Sequence, residues 1–227
     1  MKNSPEGTPP RVVVDPSTNL ASVLRSTETR LRSGGTGVFV ARLNRRELSI
    51  GVGHSPSDEL TTRCKQRKIP VLRRATGGSA VLHAPGDIAW SLVLPRDHPQ
   101  VGRDFVNAYA RLGEGVTRFL AARAVDAAWV ESPGISRDYC LLGARGQVLQ
   151  VKSRVLGGAA QHLSQAVLLH HGILPAQVDA GLLHDLFDLP PETIHARLTG
   201  LREIGIEPSD PNVLSGLAEY LASSVQG

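Results

Sequence analysis

The chain has 227 residues, 41% hydrophobic and only 4% aromatic, with a formal net charge of +4, which suits one large domain or two small ones with a core of Leu, Val, Ile and Ala. No stretch approaches the roughly 18–20 apolar residues that cross a bilayer and the opening MKNSPEGTPP has no apolar signal segment, so a cytoplasmic location without a membrane partner is expected. Cys64 and Cys140 are too few for a disulfide framework or a four-cysteine metal site, and the excess of arginine forms no basic block with interleaved aromatics, which argues against a nucleic-acid partner.

In chain order, residues 1–14 read as a flexible, Pro-rich tail that ends in the apolar run Arg11–Val14, ahead of one domain over 15–227. Asp15-Pro-Ser-Thr is expected to start a helix carrying Leu20, Val23, Leu24, Thr27 and Leu31, which Ser33-Gly-Gly-Thr-Gly37 ends. Val38–Leu43 and Leu48–Val52 read as strands and Ser57–Lys68 as an amphipathic helix stopped by Pro70. Val81–His83 and Ile88–Leu94 look like consecutive strands around the turn Ala84-Pro-Gly-Asp87. Val101–Ala124 is the longest helical pattern, with Phe105, Tyr109, Leu112, Val116 and Phe119-Leu120 on one face. A hairpin is predicted about Lys152-Ser-Arg154, then a strand at Ala166–Leu169 and short helices from Pro175 onward. Strands and helices alternate irregularly, so the fold class is α/β of the α+β type, in a single domain.

Arg73-Arg-Ala-Thr-Gly-Gly-Ser-Ala-Val-Leu-His83 is the most informative segment. Adjacent glycines let backbone approach a ligand closely, and a preceding arginine pair can grip phosphate or carboxylate. It is neither a phosphate loop, which needs Gly-Lys-Ser/Thr, nor a dinucleotide fingerprint with three spaced glycines. The segment resembles the Arg-Arg-x-Ser/Thr-Gly-Gly-Gly-x-Val-x-His signature of the lipoate-protein ligase A and octanoyltransferase family. Four other pieces are similar to that family's and fall in its order: Leu48-Ser-Ile-Gly51, Asp87-Ile-Ala-Trp-Ser91, Gly158-Ala-Ala-Gln161 and His170-His-Gly-Ile-Leu174. The resemblance implies a mixed, largely antiparallel, curved sheet flanked by helices, as in biotin/lipoate protein ligases. It also implies an acyl tunnel near the Gly-Gly loop and transfer of lipoate or octanoate to a lysine of a carrier domain. On it, Arg74 faces the phosphate or carboxylate end of the acyl donor. Gly77 and Gly78 line the acyl chain, His83 lies beside the loop, and Gly158 and Ala159 pack backbone against the ligand.

Three departures bear on mechanism. The family's central lysine falls on Val155, and Lys152, three residues earlier, could replace it only if the hairpin turn is reshaped; otherwise it is an exposed turn lysine. Ser79 and Ala84 stand where a third glycine and an acid are usual, which puts ATP and Mg use in question. Cys140 is similar in position to the thiol nucleophile of the octanoyltransferase branch, with Lys152, His83 or His171 as candidate activators, or else it is a core residue. Asp138 partly fits a ligase motif in a competing register. Three readings therefore stand: a cysteine acyltransferase working without ATP, an ATP-dependent ligase relying on Lys152, and a lapsed member that binds acyl carriers or lipoyl compounds. The expected partner is a lipoyl-domain or glycine-cleavage-type carrier protein. The short C-terminal region leaves no space for an accessory domain, so a ligase of this kind would need a separate accessory chain.

Overall fold

The computed structural model describes residues 10–33, 36–102, 107–143 and 146–226. The elements, in order, are β1 (Arg11–Thr18), α1 (Leu20–Ser33), β2 (Gly37–Leu43), β3 (Glu47–Gly51), α2 (Asp58–Gln66), β4 (Val71–Arg74), β5 (Ala80–His83), β6 (Ile88–Pro95), α3 (Asn107–Ala121) and β7 (Ala127–Glu131). After a single 3-10 turn at Cys140–Leu142 come β8 (Gln147–Val151), β9 (Arg154–Leu163), β10 (Val167–Leu174), α4 (Ala180–Phe187), α5 (Pro191–Arg197) and α6 (Pro211–Ser224).

Seven strands form the main sheet in the order β1-β2-β6-β10-β9-β8-β7, antiparallel except for the β1–β2 pair. The interior strand β6 is buried on both faces, which explains its nearly continuous apolar run, interrupted by Ser91. Ile88, Trp90, Leu92 and Leu94 point into a core shared with α3 and α6, where Leu112, Val116, Phe119 and Leu217 are buried. The opposite face meets a second cluster built from α1, α2, α4, α5 and a three-stranded sheet, β4-β3-β5. The mixed, largely antiparallel domain expected from the sequence is therefore present, divided between two sheets. Phe105 lies outside the described residues.

Two local expectations need correction. Arg11–Val14, assigned to the tail, is the start of an edge strand paired in parallel with Gly37–Val40. Asp15–Thr18 continues that strand rather than opening the helix. The helix begins at Leu20, with Asn19 Oδ1 accepting from the Ser22 amide at 3.0 Å and buried Glu47 accepting from Leu20 N–H. β5 and β6 are consecutive, as expected, and belong to different sheets: β5 joins β3, and β6 lies between β2 and β10.

Asp87 braces the turn at which the chain switches sheets. Its carboxylate accepts from the Ala84 and Ala176 amides, each at 2.8 Å, tying the β5–β6 turn to the end of β10. Burial pushes its pKa up to about 7, outweighing the two amide bonds that favour the anion. A folded-state pKa above the unfolded value means that this group's contribution is complete below about pH 4 and is lost as pH rises through 7. Urea midpoints of the native protein and Asp87→Asn should therefore diverge between pH 4 and pH 8, with the native protein losing stability relative to the variant. Parallel curves would contradict a buried, titrating Asp87.

Candidate active site

The three-stranded sheet presents one polar stripe. Residues two apart on a strand share a face, and the registers Ser49↔Val81, Ser49↔Leu72 and Gly51↔Arg74 put Ser49, Arg74, Val81 and His83 on the same one. Arg74 is 5% exposed, yet both terminal nitrogens are engaged. Nη1 donates to Ser49 O and Oγ, each at 3.1 Å, and Nη2 donates to Gly77 O at 2.8 Å and Ser79 O at 2.9 Å. The Ser49 hydroxyl, which accepts from the guanidinium, is also hydrogen-bonded to His83 Nε2 at 2.9 Å. The Gly-Gly loop can close over Arg74 because Gly51 has no side chain: a Cβ there would fall 2.1 Å from Gly78 O.

Cys140 arrives from the other side. Ser136 Oγ accepts from the Asp138 and Tyr139 amides, and Ala80 N–H bonds Asp138 O at 2.9 Å, pinning the loop to β5. The 3-10 turn that follows leaves Cys140 half-buried, with Sγ 4.0 Å from Arg74 Nη2. Behind the sulfur opens an apolar cavity walled by Leu20, Val23 and Leu24 of α1, by Trp90, and by Leu141, Val148 and Ile173. Gly158 and Ala159 of β9 form its floor; a Cβ on Gly158 would lie 2.8 Å from Leu141 Cδ2, so glycine is what lets the cysteine turn sit on the sheet. His171 on β10 also lines the cavity and bonds Thr76 Oγ1 at 2.7 Å. Burial, then the charge of Arg74, pulls both His83 and His171 down to about 3, so both rings are neutral at physiological pH.

Of the residues singled out in the sequence, Arg74, His83, Cys140, Gly158 and Ala159 converge on this one cavity. Gly77 and Gly78 do not line it: both are exposed at the rim, and Gly78, at φ +92°, covers Arg74 and Cys140 instead. Lys152 is excluded by geometry. It is exposed at the β8–β9 turn with φ +56°, about 13 Å along the strand from cavity-lining Val148. The turn is tight, because Val151 pairs directly with Arg154, and it does not fold the lysine back. Val155 is buried and faces a neighbouring cavity with Leu82, Asp87, Tyr139 and Thr199. Sequence reasoning gave no role to Ser49, Thr76 or Trp90, though all three lie inside motifs already noted. It named Lys152, His83 and His171 as candidate partners for Cys140, whereas the cation that touches the sulfur is Arg74.

Residues 15–220 match the profile of the lipoyl protein ligase A/B catalytic domain. Among relatives, the octanoyltransferase LipM of Oceanobacillus iheyensis is 30% identical over 159 residues, covering 69% of this chain and 58% of the relative. That of Exiguobacterium sibiricum is 31% identical over 163 residues, covering 67% and 59%. The chain thus spans less than two thirds of the length of these octanoyltransferases. A lipoate-protein ligase A solved with ATP superposes with a TM-score of 0.71 at 21% identity, covering 94% of this chain and 86% of that one. A lipoate protein ligase fold from T. acidophilum with bound lipoic acid gives 0.72 at 21% identity, with the same coverage. No helix among the described residues is long and apolar enough to cross a membrane.

Proposed function

We propose that this chain, which belongs to the lipoyl protein ligase A/B catalytic domain family, moves an octanoyl or lipoyl group from one carrier to a lysine of a lipoyl-domain or glycine-cleavage-type protein, through a thioester on Cys140. The observation that carries the reading is the position of Cys140, half-buried at the polar end of an apolar cavity with a guanidinium 4.0 Å from its sulfur. In the first half-reaction Sγ attacks the donor's thioester carbonyl. The donor sulfur leaves, taking up the proton that Cys140 gave up. In the second, the acceptor amine attacks the Cys140 thioester, an amide forms, and the thiol is restored. The apolar walls bury the acyl chain and hold its carbonyl at the sulfur. The name of the LipM relatives favours octanoyl as the group carried.

The residues present do not fit an ATP-dependent ligase. No Asp or Glu is among the described residues lining the cavity, so a magnesium-bound triphosphate would meet no carboxylate there. Val155 and Ala84 lack the charge found at those positions in the family, and Lys152 is remote. The test is mass spectrometry of an apo lipoyl domain incubated with the protein and either an octanoyl carrier or lipoate plus ATP. Acylation in the first arm alone is expected. Acylation only in the second would make the chain a ligase, and in neither a binder.

A further inference from the structure

We propose that Arg74 is the catalytic cation of this site, stabilising the negative charge that develops on the Cys140 sulfur before attack and on the acyl oxygen of the tetrahedral intermediate. The inference rests on the thioester reading above and gives Arg74 a different task from gripping a phosphate or carboxylate. Contact comes first: Nη2 lies 4.0 Å from Sγ, across 66 residues of sequence. Orientation comes next. Four hydrogen bonds, to Ser49 O, Ser49 Oγ, Gly77 O and Ser79 O, fix the plane of the guanidinium. To turn toward a phosphate deeper in the cavity, Arg74 would have to abandon bonds that hold the Gly-Gly loop closed. A donor already fixed in place needs no reorganisation as charge develops.

Charge balance gives the third support. Among the described residues lining the cavity, Arg74, His83, His171 and Cys140 are the titratable ones, and none is a carboxylate. Both histidines are neutral. Glu47 shares the stripe of β3, but its carboxylate is turned to Arg45 and to the first amide of α1. The guanidinium thus stands in a largely apolar enclosure with four neutral oxygens and one sulfur. A buried charge without a counter-ion is costly, and the anionic forms of Cys140 and of the intermediate are the partners this cavity offers it. Val155, buried against a different cavity, cannot supply that charge.

The experiment compares alkylation of Cys140 by iodoacetate, an anion, with alkylation by iodoacetamide, its neutral analogue. It is followed by intact mass in the full chain carrying Cys64→Ser. The ratio of the two rates cancels access to the sulfur and reads local charge. In the folded protein it should exceed the ratio for the same thiol in urea by ~10-fold, as expected for a cation in contact. Arg74→Met and Arg74→Gln, in whichever folds with a native melt, should bring the ratio down to the urea value, and Arg74→Lys should keep most of it. Equal ratios in folded and urea-unfolded protein would overturn the proposal without any variant. So would an unchanged ratio in Met or Gln, or a loss in Lys as large as in Gln. A raised ratio together with no octanoyl adduct on Cys140 would count against the transferase, leaving the placement of the charge standing.

Discussion

Cys140→Ser should lower single-turnover transfer of an octanoyl group to an apo lipoyl domain by at least ~10³-fold, while Cys64→Ser leaves the rate unchanged. A serine hydroxyl is a far weaker nucleophile than a thiol unless a base activates it, and the two neutral histidines of the cavity are occupied by Ser49 and Thr76. Cys64 offers the internal control. It is fully buried on α2 in the second core cluster, and burial pushes its thiol pKa up, which keeps it protonated and inert. The thermal melt of Cys140→Ser should stay near that of the native protein, because serine is nearly isosteric and Cys140 is only half-buried at the edge of the second core cluster. Transfer by Cys140→Ser at a rate close to native would remove the nucleophile from the account.

The second large effect is expected at Gly78. Its φ of +92° is a conformation that L side chains rarely adopt, and an added Cβ would lie 2.8 Å from both Arg74 Nη2 and Cys140 Sγ. Gly78→Ala should therefore reduce transfer by about 10²-fold, the scale associated with a displacement of about 1 Å at a reacting centre. The backbone strain should cost roughly 1–3 kcal/mol of stability. Gly77 is the matched control. It has nothing within 4 Å of its would-be Cβ and no positive φ, so Gly77→Ala should be close to native in both assays. Equal behaviour of the two variants would mean that Gly78 does not hold Arg74 against the sulfur.

The local patterns of the sequence carried much of this fold. The α3 periodicity placed Leu112, Val116 and Phe119 in the core, and the polar turn at Lys152 marked the β8–β9 hairpin. Gly158, found from motif order, does line the cavity, whereas the Gly-Gly pair stays exposed outside it; Gly78 and Gly158 approach the Cys140–Leu142 turn at Cys140 and Leu141 respectively. What local pattern could not give is contact across long separations. Arg74 and Cys140 are 66 residues apart, and their meeting depends on the Ala80–Tyr139 bridge, which leaves no trace in hydropathy. Likewise, β5 and β6 read as consecutive strands around a turn, with no sign that they join different sheets. Asp87, which braces that turn, bonds two backbone amides, one of them 89 residues away. Lys152 was attractive because a cation was missing from Val155. A strand length of separation, rather than residue type, decides against it.

The most direct measurement is the intact mass of the protein itself after incubation with an octanoyl-loaded carrier, in the absence of ATP and of any acceptor. A covalent relay through Cys140 predicts an added mass of one octanoyl group, its removal by hydroxylamine, its transfer on adding an apo lipoyl domain, and its absence in Cys140→Ser. Octanoylation of the acceptor without any such adduct on the enzyme, or an adduct that resists hydroxylamine, would contradict it.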